Sequence, residues 1–142
     1  PDINDCVIYI SPQLTPLKTV NCPKGNNICS IVCINKYSCH NATINATNTD
    51  VLKLKIAEQS SFAATFATIY CPSTSCLINN QESYRGLKDA IIYARNTETV
   101  ILNGQGWSRF AQTKIYVDNA EYVYIYCDGY HKNGCNGMHI YM

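Results

Sequence analysis

The chain has 142 residues, a net charge of +1 and only 15% charged residues, against about 25% in ordinary soluble domains. That length fits one domain. Without a basic stripe, nucleic acid is a poor partner, and the apolar runs are too short and broken to span a membrane.

Apolar positions recur every 23 residues: Cys6 and Cys29, Cys29 and Leu52, Leu77 and Val100, Val100 and Val123, Leu87 and Phe110, Ile92 and Ile115. A fixed period of this size is the signature of a solenoid. Within each unit apolar residues alternate with period 2 rather than 3.6, which argues against helical repeats. The spacing therefore predicts an all-β, single-domain parallel β-helix, right-handed as parallel crossovers nearly always are. Six coils follow, at 1–25, 26–48, 49–73, 74–96, 97–119 and 120–142.

In the first coil Cys6 and Ile8 are expected to point inward. Pro12 and Pro16 interrupt it, and its second apolar station is ambiguous between Pro16 and Leu17. The second coil supplies Cys29, Ile31, Cys39 and Ile44, and the third supplies Leu52, Leu54, Phe62 and Ile69, with a two-residue insertion between Phe62 and Ile69. The fourth gives Leu77, Asn79, Leu87 and Ile92, and the fifth gives Val100, Leu102, Phe110 and Ile115. The sixth gives Val123, Ile125, Cys127 and Ile140, with a second two-residue insertion between Cys127 and Cys135. Asn48, Ser73, Asn96 and Asn119 share one corner, where stacked amides can bond along the axis and cap a turn.

Nine cysteines favour an oxidising, extracellular setting. The chain opens at Pro1 without an initiator Met or a signal peptide, as a processed form or a fragment does. Four pairs fall near corners: Cys22 with Cys29, Cys33 with Cys39, Cys71 with Cys76, and Cys127 with Cys135. A competing pairing joins Cys6 to Cys29 across adjacent coils, within disulfide range, and strands Cys22. Either way one cysteine is left over; in the first scheme it is Cys6, unpaired or bonded to another molecule.

Two sequons stand almost side by side, Asn41-Ala42-Thr43 and Asn45-Ala46-Thr47. Asn45 falls in one outward column with Tyr70, Tyr93, Tyr116 and Tyr141, so a glycan there projects from the side wall. The four tyrosines form a wall that serves either as a contact surface for protein or sugar or as stacking between neighbouring strands. Tyr122, Tyr124 and Tyr126 crowd the last coil.

Residues arranged for catalysis are few. His40, His131 and His139 sit in no nucleophile or zinc motif. Cys29, Cys33, Cys39 and His40 could be offered as a metal site, but strand residues four apart are about 13 Å apart, too far for one zinc, and disulfides account better for the cysteines. Asn103-Gly104-Gln105-Gly106 lacks the third glycine of a dinucleotide fingerprint and is expected to be a corner. Asp50, Ser75, Glu98 and Glu121 form one column, which puts Glu98 and Glu121 at about the carboxylate spacing of a retaining glycosidase. An edge corner without a cleft makes a plain surface pair the better reading. Arg95 beside Asp118 is an ordinary surface ion pair.

Cys29-Ser30-Ile31-Val32-Cys33 followed by Ser38-Cys39-His40-Asn41-Ala42-Thr43-Ile44 resembles the cysteine-rich β-helix repeats of secreted or surface proteins of protists such as algae and ciliates. The likeness covers residues 28–45 well and residues 71–78 and 123–140 in part. It implies an extracellular structural or adhesive role.

No amphipathic helix or charged cap marks either terminus, so the strands at the two ends are expected to be open to another subunit. The leading expectation is a non-enzymatic subunit of a glycosylated extracellular filament or surface appendage, assembled end to end, without cofactor or metal. The alternatives are a carbohydrate-binding or adhesive module using the tyrosine wall, and a polysaccharide-cleaving enzyme using Glu98 and Glu121.

Overall fold

The computed structural model describes residues 5–10, 19–25, 27–57, 60–81, 84–105, 110–127 and 135–142. Twelve strands among them alternate long and short. The long ones are β1 (Asp5–Ile10), β3 (Ile28–Cys33), β5 (Val51–Ile56), β7 (Ser75–Gln81), β9 (Thr99–Gln105) and β11 (Tyr122–Cys127). The short ones are β2 (Thr19–Asn21), β4 (Thr43–Asn45), β6 (Thr68–Tyr70), β8 (Ile91–Tyr93), β10 (Lys114–Tyr116) and β12 (His139–Tyr141). The odd strands form one six-stranded sheet in chain order and the even strands another. Every pairing is parallel and in register. The result is a right-handed parallel β-helix of about 23 residues per coil.

The strand sequences explain the burial. In β3, Cys29, Ile31 and Cys33 face inward, and in β5, Leu52, Leu54 and Ile56 do so while Lys53 and Lys55 face solvent. The inward columns are Cys29, Leu52, Cys76 and Val100, and beside them Ile31, Leu54, Ile78 and Leu102, all essentially without solvent contact.

Three positions expected inside are outside. Leu77 pairs with Lys53 and Ile101 on the outer face, and Asn79 pairs with Lys55 and Asn103; Cys76, Ile78 and Asn80 take the inner places. Pairing slips one residue from the 23-residue count because β7 lies 24 residues from β5 and 24 from β9. A single-residue slip turns every side chain over. Phe62 is the third. It lies on the outer side of its corner and Ala64 fills the inner station, so the extra residues of that coil precede the corner instead of following it. Asn103, Gly104 and Gln105 belong to β9 rather than to a corner, and Gly104 is buried opposite Asn80.

The corner that enters each short strand is a stacked turn. Ala42 donates its backbone N–H to Cys39, Ala67 to Ala64, Ala90 to Leu87, Thr113 to Phe110 and Met138 to Cys135. The third residue of each turn has left-handed backbone: Asn41 (φ 56°), Phe66 (58°), Asp89 (56°), Gln112 (57°) and Gly137 (70°). A Cβ on Gly137 would meet the Gln112 Cγ at 3.3 Å, since the two are stacked counterparts. Tyr37 (φ 62°) and Phe62 (57°) hold the same place in the turns just before, Asn35–Ser38 and Ser60–Ala63. Asn and Gly suit such positions, whereas other L-residues there cost about 1–2 kcal/mol each.

Buried hydroxyls join neighbouring coils. Thr97 Oγ1 donates to the Pro72 carbonyl at 2.7 Å, and Thr113 Oγ1 to the Leu87 carbonyl at 2.7 Å. Disulfides Cys22–Cys29, Cys33–Cys39, Cys71–Cys76 and Cys127–Cys135 span corners with Cα–Cα separations of 5.8, 5.8, 5.5 and 6.0 Å. Cys29 is therefore not bonded to Cys6, whose backbone lies opposite it in register. Pro12, Pro16, Leu17 and His131 lie outside the described residues.

The two ends differ. Ile10 and Val20, in the first strand of each sheet, are 4% and 6% exposed. Val123 and Ile140, in the last strand of each sheet, are 39% and 44% exposed.

Candidate functional site

The side wall is built by the third residue of each short strand. Register stacks Asn21, Asn45, Tyr70, Tyr93, Tyr116 and Tyr141 in one outward column. The tyrosine rings pile face to face, with centroids 5.1, 5.1 and 4.6 Å apart and planes within 13°. Such a pile spends ring faces on its own neighbours, and what remains for solvent is edges and hydroxyls. Only the first and last rings keep a face free of another tyrosine.

Arg95 closes one side of the pile. Its guanidinium lies 4.9 Å from the Tyr116 centroid, and its Nε meets Asp118 at 2.8 Å. An open depression of about 370 Å³ lies beside it, lined by Thr47, Tyr70, Cys71, Tyr93 and Arg95.

Both sequons reach the surface. Asn41 is exposed at the left-handed place of its turn. Asn45 sits half-buried on the wall next to Tyr70. Its Oδ1 accepts from the Thr47 hydroxyl at 2.7 Å and from the Thr47 backbone N–H at 3.1 Å. Those bonds use the amide oxygen, not the amide nitrogen that carries an N-linked sugar.

Glu98 and Glu121 occupy successive coils, with the Glu121 N–H donating to the Glu98 carbonyl at 3.0 Å. Both are exposed. Register puts Thr74, not Ser75, in their column. Cys29, Cys33 and Cys39 are consumed by disulfides. Among the described residues no group of three or more His, Cys, Asp or Glu side chains could hold a metal. No helix among them is long and apolar enough to cross a membrane.

A second aromatic surface escapes the period-based reading. Tyr37 stacks on Phe62 with centroids 5.6 Å apart, Phe62 meets Tyr84 edge-on at 5.7 Å, and His40 lies edge-on to both Tyr37 and Phe66 at 5.5 and 5.8 Å. Lys36 Nζ stands 5.0 Å from the Tyr37 centroid, and the Arg85 guanidinium 4.8 Å from that of Tyr84. The detectable signal was Phe or Tyr two residues into a short polar corner, in Asn-Lys-Tyr-Ser and Ser-Ser-Phe-Ala. It was hidden because a phenylalanine at the expected core interval passes for core.

Compared with protein-family models, curated proteins and solved structures, the chain matches none. Its function must be read from its own surface.

Proposed function

We propose that this chain is a structural, non-enzymatic subunit of a secreted or cell-surface assembly, glycosylated at Asn41 and Asn45, whose copies join end to end. The observation that carries the reading is that the apolar columns run on into the last described coil. Val100 and Ile115 are fully buried, yet Val123 and Ile140, one coil on in the same columns, are 39% and 44% exposed. A strand edge with apolar columns running to its lip is a template for another parallel strand.

A second copy continuing the register would set Tyr126 against Tyr9, Ile125 against Ile8, Val123 against Cys6 and Ile140 against Val20 of the neighbour. The ends being unlike, the contact is heterologous and propagates. Ile10 and Val20 are already out of solvent, so most of the newly buried apolar surface comes from the C-terminal edge. Four corner disulfides support an oxidising location. The tyrosine pile supports a cohesive role, because its faces are already taken.

Sedimentation velocity over a range of concentrations, with negative-stain microscopy, tests the proposal. Linear polymers that grow with concentration and are lost in Val123→Glu are expected. A monodisperse monomer at high concentration contradicts it.

A further inference from the structure

We infer that the corner formed by Tyr37, Phe62, Phe66 and Tyr84, flanked by Lys36 and Arg85, is a binding site for an acidic polysaccharide. Three of these aromatic residues, Tyr37, Phe62 and Phe66, have left-handed backbone, with φ of 62°, 57° and 58°. Elsewhere the same turn position is filled by Asn41, Asp89, Gln112 and Gly137 in this corner and by Asn96 and Asn119 in the opposite one, none of them aromatic. Backbone strain held at a surface points to a functional contact.

Burial does not repay that strain. Of the three, Tyr37 and Phe66 are 49% and 54% exposed and Phe62 is half-buried, while Tyr84 beside them is 40% exposed. A brace for the corner would hide its rings; these present large apolar area to water on a rigid scaffold, which marks a contact surface. Their arrangement also differs from the tyrosine wall. There, neighbouring rings hide each other's faces. Here Tyr37 stacks on Phe62, but the contacts between Phe62 and Tyr84 and between His40 and Phe66 are edge-on, and a ring face is what the C–H side of a pyranose packs against.

The charges name the ligand class. Lys36 and Arg85 lie over the rings, and each is also 5.8 Å from the Phe62 centroid. Among the described residues neither has an ion-pair partner, whereas Lys88 holds Asp89 and Arg95 holds Asp118. Two cations without an ion-pair partner among the described residues, about two coils apart, suit carboxylates carried at intervals along a chain. Exposed aromatic rings beside these two cations fit a uronate-bearing sugar better than a neutral glucan or an acidic peptide.

The test is titration calorimetry with an oligogalacturonate, with cellohexaose and polyglutamate of similar length as comparisons, on the whole protein and on Phe66→Asn, Tyr37→Asn and Arg85→Gln. Asparagine suits left-handed backbone, so the two Asn variants are expected to melt at the same temperature as the parent or higher. Each variant is expected to bind the uronate at least tenfold more weakly. Cellohexaose and polyglutamate are expected to bind at least tenfold more weakly than the uronate to the parent. The proposal is overturned if the parent does not bind the uronate, if polyglutamate binds equally well, or if Phe66→Asn lowers the melting temperature and leaves binding unchanged.

Discussion

The Asn119 Nδ2 donates to the Asn96 Oδ1 at 2.9 Å, one coil away, and both residues have left-handed backbone, with φ of 62° and 61°. Each is the third residue of a turn closed by a backbone bond, Thr97 to Ala94 and Ala120 to Val117. Asparagine therefore does two jobs: it accepts the turn geometry and links coils through its side chain. Asn119→Ala is expected to cost about 1–2 kcal/mol, combining left-handed strain with a lost amide bond. Asn119→Gly keeps the geometry and is expected to cost less than about 1 kcal/mol. Thermal melts that rank Gly at or below Ala would contradict this.

Tyr93 lies between Tyr70 and Tyr116 and stacks on both. Aromatic pairs contribute about 0.5–1.5 kcal/mol each beyond area burial, so Tyr93→Ala is expected to destabilise by about 1–3 kcal/mol. Tyr141→Ala removes one stack and is expected to cost about half as much. A double-mutant cycle between positions 93 and 116 should return a favourable coupling; a coupling of zero would mean the pile contributes no stability.

Ile78 is 1% exposed, while Leu77 beside it faces outward opposite Lys53 and Ile101. Ile78→Ala is expected to cost about 2–5 kcal/mol, and Leu77→Ala less than about 1 kcal/mol. Chemical denaturation of the two variants checks the register directly, because a one-residue slip reverses the order.

These two neighbours also show how far the fold was legible from the sequence. The 23-residue interval and the alternation of Val100, Leu102, Ile115 and Ile125 are regular enough to give the solenoid, its columns and the tyrosine register. Leu77 and Phe62 misled because each is a large apolar residue at the expected interval on the wrong side of the backbone. Their coils are not 23 residues long, and their true core residues, Cys76 and Ala64, are less conspicuous. The aromatic corner was missed for the same reason: Phe62 falls at a core interval, and the left-handed backbone that turns Phe62 and Phe66 to the surface has no mark in the spelling beyond an aromatic residue inside a short corner. Asn80, fully buried among apolar columns, likewise could not be told from Asn79 until the register was known.

Thr47 both completes a sequon and bonds the Asn45 amide oxygen twice. After secretion from a eukaryotic host, mass spectrometry is expected to find sugar on Asn41 and Asn45. Thr47→Ala is expected to abolish it at Asn45 alone. Unmodified asparagine at both sites would remove glycosylation from the account.

The end-to-end joint is tested most directly by Val123→Cys. The proposed register sets position 123 opposite Cys6 of the next copy, the one cysteine outside the four disulfides. Parallel neighbours at about 4.7–4.9 Å are within reach of a disulfide. Mild oxidation is predicted to give a ladder of covalent oligomers on a non-reducing gel, with a linked peptide joining position 123 to Cys6, and none in Tyr124→Cys, whose side chain faces outward. A monomer band from both variants would contradict the joint.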